Sequence, residues 1–591
     1  MFGPVITREA LTSARRPRLY LARVACAAAL LVLICTAWQV VTGTRVVRNT
    51  GDLARFNALV FQVLAPLELV VCMFLSAISV ALTVTQEKDR RTLALLLLTR
   101  LANVEMVLGQ LAAGLLGIAS LGLAAGGVFF WTYLLGGVSL AQILGTLLVL
   151  ASTALLCGSL GCTIALWREK TFQTMAGTVL VLVCWTGGWE LFASGGWPLA
   201  ISPESAAAWA SRFSPWHAVL QAAANPAAGI GRQQLEFPLV ALLLAILLNG
   251  LSTWKIRAWS GASETHAPLE PRIDAPPASE DEQHALDRFG RQDTAPVKAG
   301  RVRSVWARPI LWREIRTWAY GRKVLAVRAA FAALAIAAIV ALGDLETTAG
   351  ALSRLDAAAW LVPLFVLGLL LVNAQAVTSI TNERDGQTLD LLLVTDITPG
   401  EFIGGKLAGV LYNTKEMVLL PIALCGYLWW LGELSGENLA YLLGGWLAVL
   451  AFAAVLGLHA GMSYGNSRVA IGVSLGTLFF LVIGVATCMR IMVAFSGSFS
   501  FQLQPFLAAM VGGFVGLYLA LGARNPSPAI TAAALICPLA TLYALTSFLL
   551  GYTLAVFLVT TAAYGFAAAA MLVPAIYEFD VVERRRGRDE S

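Results

Sequence analysis

The fold class is decided by a stretch of 49 residues without a charged side chain, because residues 529–577 read AITAAALICPLATLYALTSFLLGYTLAVFLVTTAAYGFAAAAMLVPAIY. A helix that crosses the hydrocarbon core of a bilayer needs about 20 apolar residues. The stretch is long enough for two crossings, and we predict a turn between them near Tyr552. A membrane β-barrel would instead alternate apolar and polar residues over segments of about ten residues.

The rest of the chain has the same apolar character. Of its 591 residues, 58% are hydrophobic and 13% are charged, and the mean hydropathy is +0.75. This composition excludes a water-soluble globular protein and leaves little chain for a catalytic domain outside the membrane. We therefore predict an all-α, polytopic transmembrane helical bundle that is not an enzyme.

The apolar segments predict 14 spans, with 12 as the lower bound. In the first half, six spans lie near residues 19–42, 57–85, 106–135, 140–166, 172–195 and 237–256. In the second half, six lie near residues 324–343, 357–381, 406–432, 439–462, 470–494 and 503–523. The stretch 529–577 adds two more.

A polar stretch separates the two halves. Residues 260–305 hold five prolines and the acidic run 280–282, with almost nothing to bury. Such a composition is typical of a disordered tether. We predict a first transmembrane half over residues 1–259, a cytoplasmic linker over 260–305 and a second half over 306–591.

The basic residues predict the topology. The formal net charge is +6, but in a membrane protein lysine and arginine concentrate in cytoplasmic loops. Most of them fall in the two tails, the linker and alternate loops, which places both termini in the cytoplasm and gives no indication of nucleic-acid binding. Arg45, Arg48 and Arg55 are exceptions to this pattern.

Neither a metal site nor a disulfide framework is indicated. All nine cysteines lie inside apolar segments, without a CxxC pair or a nearby histidine cluster. Residues 400–406 fit the first part of a P-loop, but Leu407 replaces the Ser or Thr that would meet magnesium, and no strand precedes the segment. The chain is therefore predicted to carry no cofactor of its own.

An acidic segment occurs once in each half. Residues 87–99 read EKDRRTLALLLLT and residues 383–395 read ERDGQTLDLLLVT. Each copy is followed by a glutamate, Glu105 or Glu401, four residues before a glycine. The two copies occupy the same place, between the second and third spans of their halves.

A second pair of similar segments opens the two halves. Residues 4–12 (PVITREALT) and 309–317 (PILWREIRT) share the pattern P-x-x-x-R-E-x-x-T. Two repeated segments in the same order indicate an internal duplication. Six spans per copy give both copies the same orientation, so they would be related by an axis along the membrane normal.

The segment E-[KR]-D-x-x-T-L-x-L-L-L-x-T, followed by E-x-x-x-G-[QK]-L, resembles the signature of the ABC-2 permeases, which are the membrane subunits of one class of ABC exporters. Both halves also share the family's order of a basic elbow helix, two spans joined by the acidic segment, and four more spans. Residues 214–220 (SPWHAVL) are similar to a segment that precedes the family's sixth span. The second half lacks this segment and has two extra spans.

The resemblance implies an exporter subunit of a bacterial-type plasma (inner) membrane, in contact with membrane lipid. ATP and Mg would bind to separate ABC ATPase subunits. Four carboxylates are nominated for coupling to the ATPase: Glu87, Glu105, Glu383 and Glu401. The alternative interpretation of these side chains is that they only solvate a loop. The substrate is not determined by the sequence.

The elbow segments carry Arg8 and Glu9 in the first copy and Arg313 and Glu314 in the second. Helices of this kind lie at the membrane interface with their aromatic residues at the level of the lipid headgroups. We expect these segments to anchor each half rather than to contact substrate.

Several ionisable residues are predicted at membrane depth, where a charge is costly. Glu68 in the second span is the candidate for a transport path. Lys415 and Glu416 are expected to snorkel or to pair with another helix, and Arg490 lies in the eleventh span. For His459 a packed, hydrogen-bonded role is expected.

Two other function classes fit the same features. Parallel repeats with buried charges also suit a secondary transporter that does not use ATP, and a membrane scaffold could recruit an ATPase without transporting anything. For the permease, we expect the substrate path between the halves, lined by spans two and five of each. Glu68 and the Gly187-Gly188 pair support this weakly.

Overall fold

The structure is a computed structural model, and it describes most of the chain. The described residues are 17–44, 49–89, 92–99, 101–168, 171–193, 203–224, 232–264, 308–316, 324–349, 354–386, 397–494, 511–522 and 527–589, with single positions at 7, 11, 306, 388, 389 and 392. Arg8, Glu9 and residues 265–305 of the predicted linker lie outside the described residues, and Arg490 lies in a described helix (Ser467–Ala494) while its side chain is outside the description.

Within these residues every regular element is helical, which confirms the all-α prediction. The first half contains α1 (Pro17–Thr44), α2 (Thr50–Asp89), α3 (Thr92–Leu97), α4 (Asn103–Leu134), α5 (Leu140–Trp167), α6 (Thr171–Ala193), α7 (Pro203–Phe213), α8 (Pro215–Ala224) and α9 (Arg232–Glu264). The second half contains α10 (Pro309–Arg316), α11 (Val324–Ala349), α12 (Arg354–Asp385), α13 (Pro399–Asn413), α14 (Lys415–Trp430), α15 (Gly436–Ser463), α16 (Ser467–Ala494), α17 (Val511–Leu521), α18 (Pro528–Leu549) and α19 (Thr553–Asp589).

Eight of the described helices are long and apolar enough to cross a membrane. They are α2, α4, α5, α9, α12, α15, α18 and α19. The pair α13 and α14 would make a ninth span, bent by 56°. Helices α1, α11, α16 and α17 contribute shorter apolar stretches, so the fold fits a polytopic membrane protein while the count of 14 stays a prediction.

The predicted turn in the long apolar stretch lies where the sequence indicated. Helix α18 ends at Leu549 and α19 begins at Thr553. Gly551 adopts a φ of +81°, a conformation that suits glycine because it has no Cβ. The Tyr552 amide donates to the Ser547 carbonyl at 2.9 Å, which closes the end of α18 in the manner of a helix C-cap.

One glycine in each half allows two helix backbones to approach closely in the core. A Cβ on Gly161 of α5 would lie 2.4 Å from the Ala77 carbonyl oxygen of α2. A Cβ on Gly457 of α15 would lie 2.8 Å from the Asn373 carbonyl oxygen of α12. Small residues at such contacts let membrane helices approach and gain van der Waals energy.

Helix α19 packs against the second half in the same way that α9 packs against the first. Helix α9 lies along α5 and reaches α4, and α19 lies along α15 and reaches α13. The rings of Phe452 and Tyr564 meet edge to face at 5.1 Å in the α15–α19 contact. The last described helix of each half thus packs on a helix earlier in that half, α5 or α15.

Contacts between the two halves involve α2, α6, α12 and α16. Helix α2 packs against α16, where the Phe74 and Phe479 rings lie 5.3 Å apart and Gln86 Nε2 donates to Asn466 Oδ1 at 3.4 Å. Helix α6 packs against α12 and also against α11. Helices α2, α6, α12 and α16 are those that the sequence assigned to spans two and five of each half, and the structure brings them into contact.

Helix α12 lies at the centre of the second half. It contacts α6, α11, α13, α14, α15 and α16, and every residue from 367 to 381 is buried. Asn373 joins two of these neighbours, since its Nδ2 donates to the Ala453 carbonyl at 2.8 Å and its Oδ1 accepts from Ser474 Oγ at 2.9 Å.

Replacing Gly161 by alanine should destabilise the protein, because the new methyl group would collide with backbone that cannot move aside. Overpacking of this kind costs about 1–3 kcal/mol. We expect a lower melting temperature for Gly161→Ala in detergent. Gly250→Ala in α9 is the control, since a Cβ there meets nothing within 4 Å. Equal melting temperatures for the two variants would contradict the close approach of α2 and α5.

Candidate functional site

The predicted coupling residues Glu87 and Glu383 lie at the ends of α2 and α12. Each accepts a bond from a side chain 23 positions later in the chain. Gln110 Nε2 of α4 donates to Glu87 Oε2 at 2.7 Å, and Lys406 Nζ of α13 donates to Glu383 Oε1 at 2.6 Å. Glu87 is thus bonded to α4, and Glu383 is bonded to α13.

Lys406 is the centre of a buried ion cluster in the second half. Its Nζ lies 2.6 Å from Glu314 Oε1 as well as from Glu383 Oε1, and it donates to the Ser379 carbonyl at 3.2 Å. Arg313 Nη2 lies 3.0 Å from Glu383 Oε1. The lysine is 1% exposed, so its charge is stable there only because two carboxylates surround it.

The ion cluster fastens the elbow helix α10 to α13. Glycines make the contact close: a Cβ on Gly405 would lie 2.9 Å from Ile310 Cβ, and one on Gly409 would lie 2.6 Å from Glu314 Cβ. Glu314 is therefore held in α10 by packing and by the Lys406 ammonium. The sequence predicted an anchoring role for this segment but did not identify Lys406 as the residue that binds it.

A basic side chain beside each coupling glutamate caps a neighbouring helix. Lys88 Nζ donates to the carbonyls of Ala165 and Arg168, each at 2.9 Å, and to that of Leu166, at the end of α5. Arg384 donates to the carbonyls of Gly461 and Tyr464 at the end of α15. A cation at a helix C-terminus binds carbonyl groups that lack a partner and interacts favourably with the negative end of the helix dipole.

Glu105 and Glu401 stabilise the starts of the next helices. The Ala102 amide donates to Glu105 Oε2 at 3.3 Å, and the Thr398 amide donates to Glu401 Oε2 at 3.4 Å. A glutamate at this position of a helix satisfies an amide that would otherwise lack a partner. Both side chains are exposed at the surface, and their predicted role in coupling stays a prediction.

The contacting residues of the two halves are related by a constant difference in residue number. Each residue in the first set has a counterpart 296 positions later, as from 87 to 383 and from 110 to 406. The same shift relates the remaining pairs: Lys88 and Arg384, Glu105 and Glu401, Ala77 and Asn373, Gly161 and Gly457, and the positive-φ glycines Gly136 and Gly432.

Between Glu87 and α4 lies α3, a helix of six residues. Leu95 is 64% exposed, and Leu98, just after the helix, is 83% exposed. Thr92 Oγ1 donates to the Glu87 carbonyl at 3.1 Å, which ties α3 back to α2. These two leucines are thus exposed at and just after the end of α3.

The third span of the second half is broken where that of the first half is continuous. Helices α13 and α14 meet at the buried Thr414 with a bend of 56°. Arg328 of α11 donates from Nη2 to the Asn413 carbonyl at 2.7 Å and lies 3.4 Å from Glu416 Oε2. The expected pairing of Glu416 is confirmed, and Arg328 is a partner that the sequence did not reveal.

Glu68 faces its own half. It is 7% exposed in α2 and lies beside the thiols of Cys26 in α1 and Cys72 in α2. The side chains described include no ion-pair partner for it. Both thiols belong to the first half, whereas the contacts between halves run along α2, α6, α11, α12 and α16.

His459 and residues 400–406 match their predictions. The histidine is 4% exposed, and its Nε2 lies 3.2 Å from the Leu521 carbonyl oxygen. Residues 400–406 continue the helix that begins at Pro399, and Lys406 points into the ion cluster. They therefore do not form a phosphate-binding loop.

A cluster of aromatic and charged side chains joins α6 to the short helices α7 and α8. The rings of Trp189 and Phe213 stack at 5.0 Å. His217 Nε2 lies 3.2 Å from Glu190 Oε1. The Glu190 carboxylate raises the pKa of His217 above its ordinary value, against the opposing effect of partial burial.

No family model matches this chain, and no curated protein matches it. The contacts around Glu87 and Glu383 are therefore the observations from which a function can be inferred.

Replacing Lys406 by methionine should strongly destabilise the protein, because Glu314 would remain buried without its cation and Glu383 would keep only Arg313. Removing one partner of a buried ion pair costs about 3–5 kcal/mol. We expect a lower melting temperature for Lys406→Met and recovery in the triple variant Lys406→Met/Glu314→Gln/Glu383→Gln, which removes all three charges. Lys415→Met, at an exposed lysine of the same span, is the control. A single variant as stable as the control would show that the cluster does not hold α10.

The contact between His217 and Glu190 should make the α7–α8 region depend on pH. Because the pKa of His217 is raised in the folded protein, the contact stabilises fully below the unfolded pKa of about 6.5 and is lost as pH rises through the folded pKa. After correction for intrinsic rates, amide exchange in residues 215–224 should be slower at about pH 5.5 than at about pH 8.5. The difference should vanish in Glu190→Gln, and its persistence there would exclude this pair as the cause.

Proposed function

We propose that the chain is the membrane-spanning permease subunit of an ABC-2-type exporter. In this proposal, two parallel repeats of six spans and two extra spans form one double-length subunit in a plasma (inner) membrane, with both termini in the cytoplasm. ATP and Mg bind to separate ATPase subunits beneath it.

The observation that carries the proposal is the pair of matching contact sets around Glu87 and Glu383. In both sets, the glutamate accepts a hydrogen bond from a side chain 23 positions later, and a threonine donates to the glutamate carbonyl. The basic residue that follows the glutamate caps the end of α5 in the first half and of α15 in the second. A segment that only solvated a loop would not need the same internal bonds twice. The contacts instead favour a segment that must keep its conformation when a partner subunit moves it.

The contacts also suggest how movement would pass from an ATPase to the membrane helices. A partner that displaces α3 pulls on α2 through the Glu87 backbone, and Glu87 and Lys88 connect α2 to α4 and α5. Glu87 and Glu383 then act as positioning residues inside the segment. The exposed side chains of Leu95 and Leu98 are the surface available to the partner.

The substrate path in this proposal runs between the halves, along α2, α6, α12 and α16. The Phe74–Phe479 contact lies on that boundary. Glu68 lies away from it, which favours a structural role for Glu68 over contact with substrate. Gly187 and Gly188 have open space around the position of a Cβ, so they do not bring helices together there.

Placing a charge on the exposed apolar surface should weaken ATPase binding without harming the fold. We expect Leu95→Asp/Leu98→Asp to reduce the amount of P-loop ATPase that copurifies with the tagged chain from its native membranes, measured by quantitative mass spectrometry. Leu550→Asp, in the exposed turn between α18 and α19, is the control. Membrane yield and melting temperature should stay unchanged in both variants.

Two outcomes would contradict the proposal. An absence of any P-loop ATPase from the wild-type preparation would favour a transporter that works without ATP. Copurification that is unchanged in the α3 variant would place the ATPase contact elsewhere on the chain.

A further inference from the structure

The two acidic segments carry opposite net charge although they match in pattern. Residues 87–100 contain four basic and two acidic side chains, a net charge of +2. Residues 383–396 contain one basic and four acidic side chains, a net charge of −3. The segments have equal length and occupy corresponding places in the two halves.

The charges that the segments share are used inside the protein. Glu87 and Lys88 bind Gln110 and the end of α5, while Glu383 and Arg384 bind Lys406 and the end of α15. Each internal pair is neutral in sum, so the full difference in charge remains in the other residues. These are Asp89, Arg90, Arg91 and Arg100 in the first segment, and Asp385, Asp390 and Asp396 in the second.

The segments share an apolar component as well. Both contain the run Thr-Leu-x-Leu-Leu-Leu. In the first copy, Leu95 and Leu98 are exposed. A shared apolar run with different charges around it is the usual arrangement for binding two related partners. The apolar part supplies affinity, and the charges distinguish one partner from the other.

The helices behind the two segments also differ. Helix α4 runs unbroken from Asn103 to Leu134, whereas α13 and α14 bend by 56° at Thr414. Gln110 in the first half is neutral, and its counterpart Lys406 is charged and doubly paired. The two halves therefore present unequal supports as well as unequal charges.

From this asymmetry we infer that the chain binds two non-identical ATPase surfaces, an acidic one at the first half and a basic one at the second. Two copies of one ATPase would present identical surfaces, and one surface cannot complement both a net charge of +2 and one of −3. The partner is therefore a pair of different ATPase subunits, or one ATPase chain with two different halves. This inference rests on the proposed function.

Site-specific photo-crosslinking in native membranes tests the inference. A photoreactive phenylalanine analogue replaces Leu95 in one variant and Leu391, its counterpart 296 positions later, in another. Mass spectrometry then identifies the crosslinked peptides. We expect a P-loop ATPase at both positions, with different sequences at the two: two polypeptides, or two distinct halves of one.

The result that overturns the inference is capture of the same ATPase peptide at both positions. That outcome would leave the proposed function intact, because an ATPase would still contact both segments. Capture of no ATPase at either position would instead overturn the proposed function and the inference with it. The two failures are thus distinguishable.

Charge reversal in the same crosslinking variants tests the specificity. Arg90→Glu/Arg91→Glu should lower the crosslink at position 95 by about tenfold and leave the crosslink at position 391 unchanged, since like charges facing each other cost more than about 1.4 kcal/mol. Asp390→Lys/Asp396→Lys should do the reverse. Equal loss at both positions in either variant would contradict the separate assignment of the two surfaces.

Discussion

The ammonium group of Lys406 is the interaction on which the order of the second half depends. It lies between two buried carboxylates, one from the elbow helix α10 and one from the end of α12. A buried ion pair adds little net stability compared with apolar packing, but a broken one is costly. The three elements can therefore separate only if the lysine and both carboxylates reach water together, which makes them move as one body.

Much of the fold could be predicted from the sequence, because apolar length and turn residues are local properties. The helical class and the turn near Tyr552 were predicted correctly, and the segments assigned to spans two and five are in contact across the halves. The Glu314–Lys406 pair was not, since its members are 92 positions apart and neither residue alone indicates the other. The bend at Thr414 was also missed, since no proline or glycine lies at that position.

The candidate site shows the same division between local and distant information. The repeated Glu-[Lys/Arg]-Asp pattern nominated these residues, and the structure places them in contact with α4, α5, α13 and α15. Their partners are mainly backbone carbonyls, which every sequence offers and none specifies. The sequence therefore identified the residues, and their positions in space were needed to show that they shape the segment from within.

The enclosure of α12 has a consequence for biogenesis. This helix has neighbours on both sides of it in the chain, α6 and α11 before it and α13 to α16 after it. When α12 leaves the translocation machinery, Asn373 lacks Ala453 and Ser474, the residues that later accept and donate its hydrogen bonds. Its side-chain amide then lacks these partners until 101 more residues have been made. Assembly of the second half is thus completed late, when α15 and α16 close around a helix that was inserted long before them.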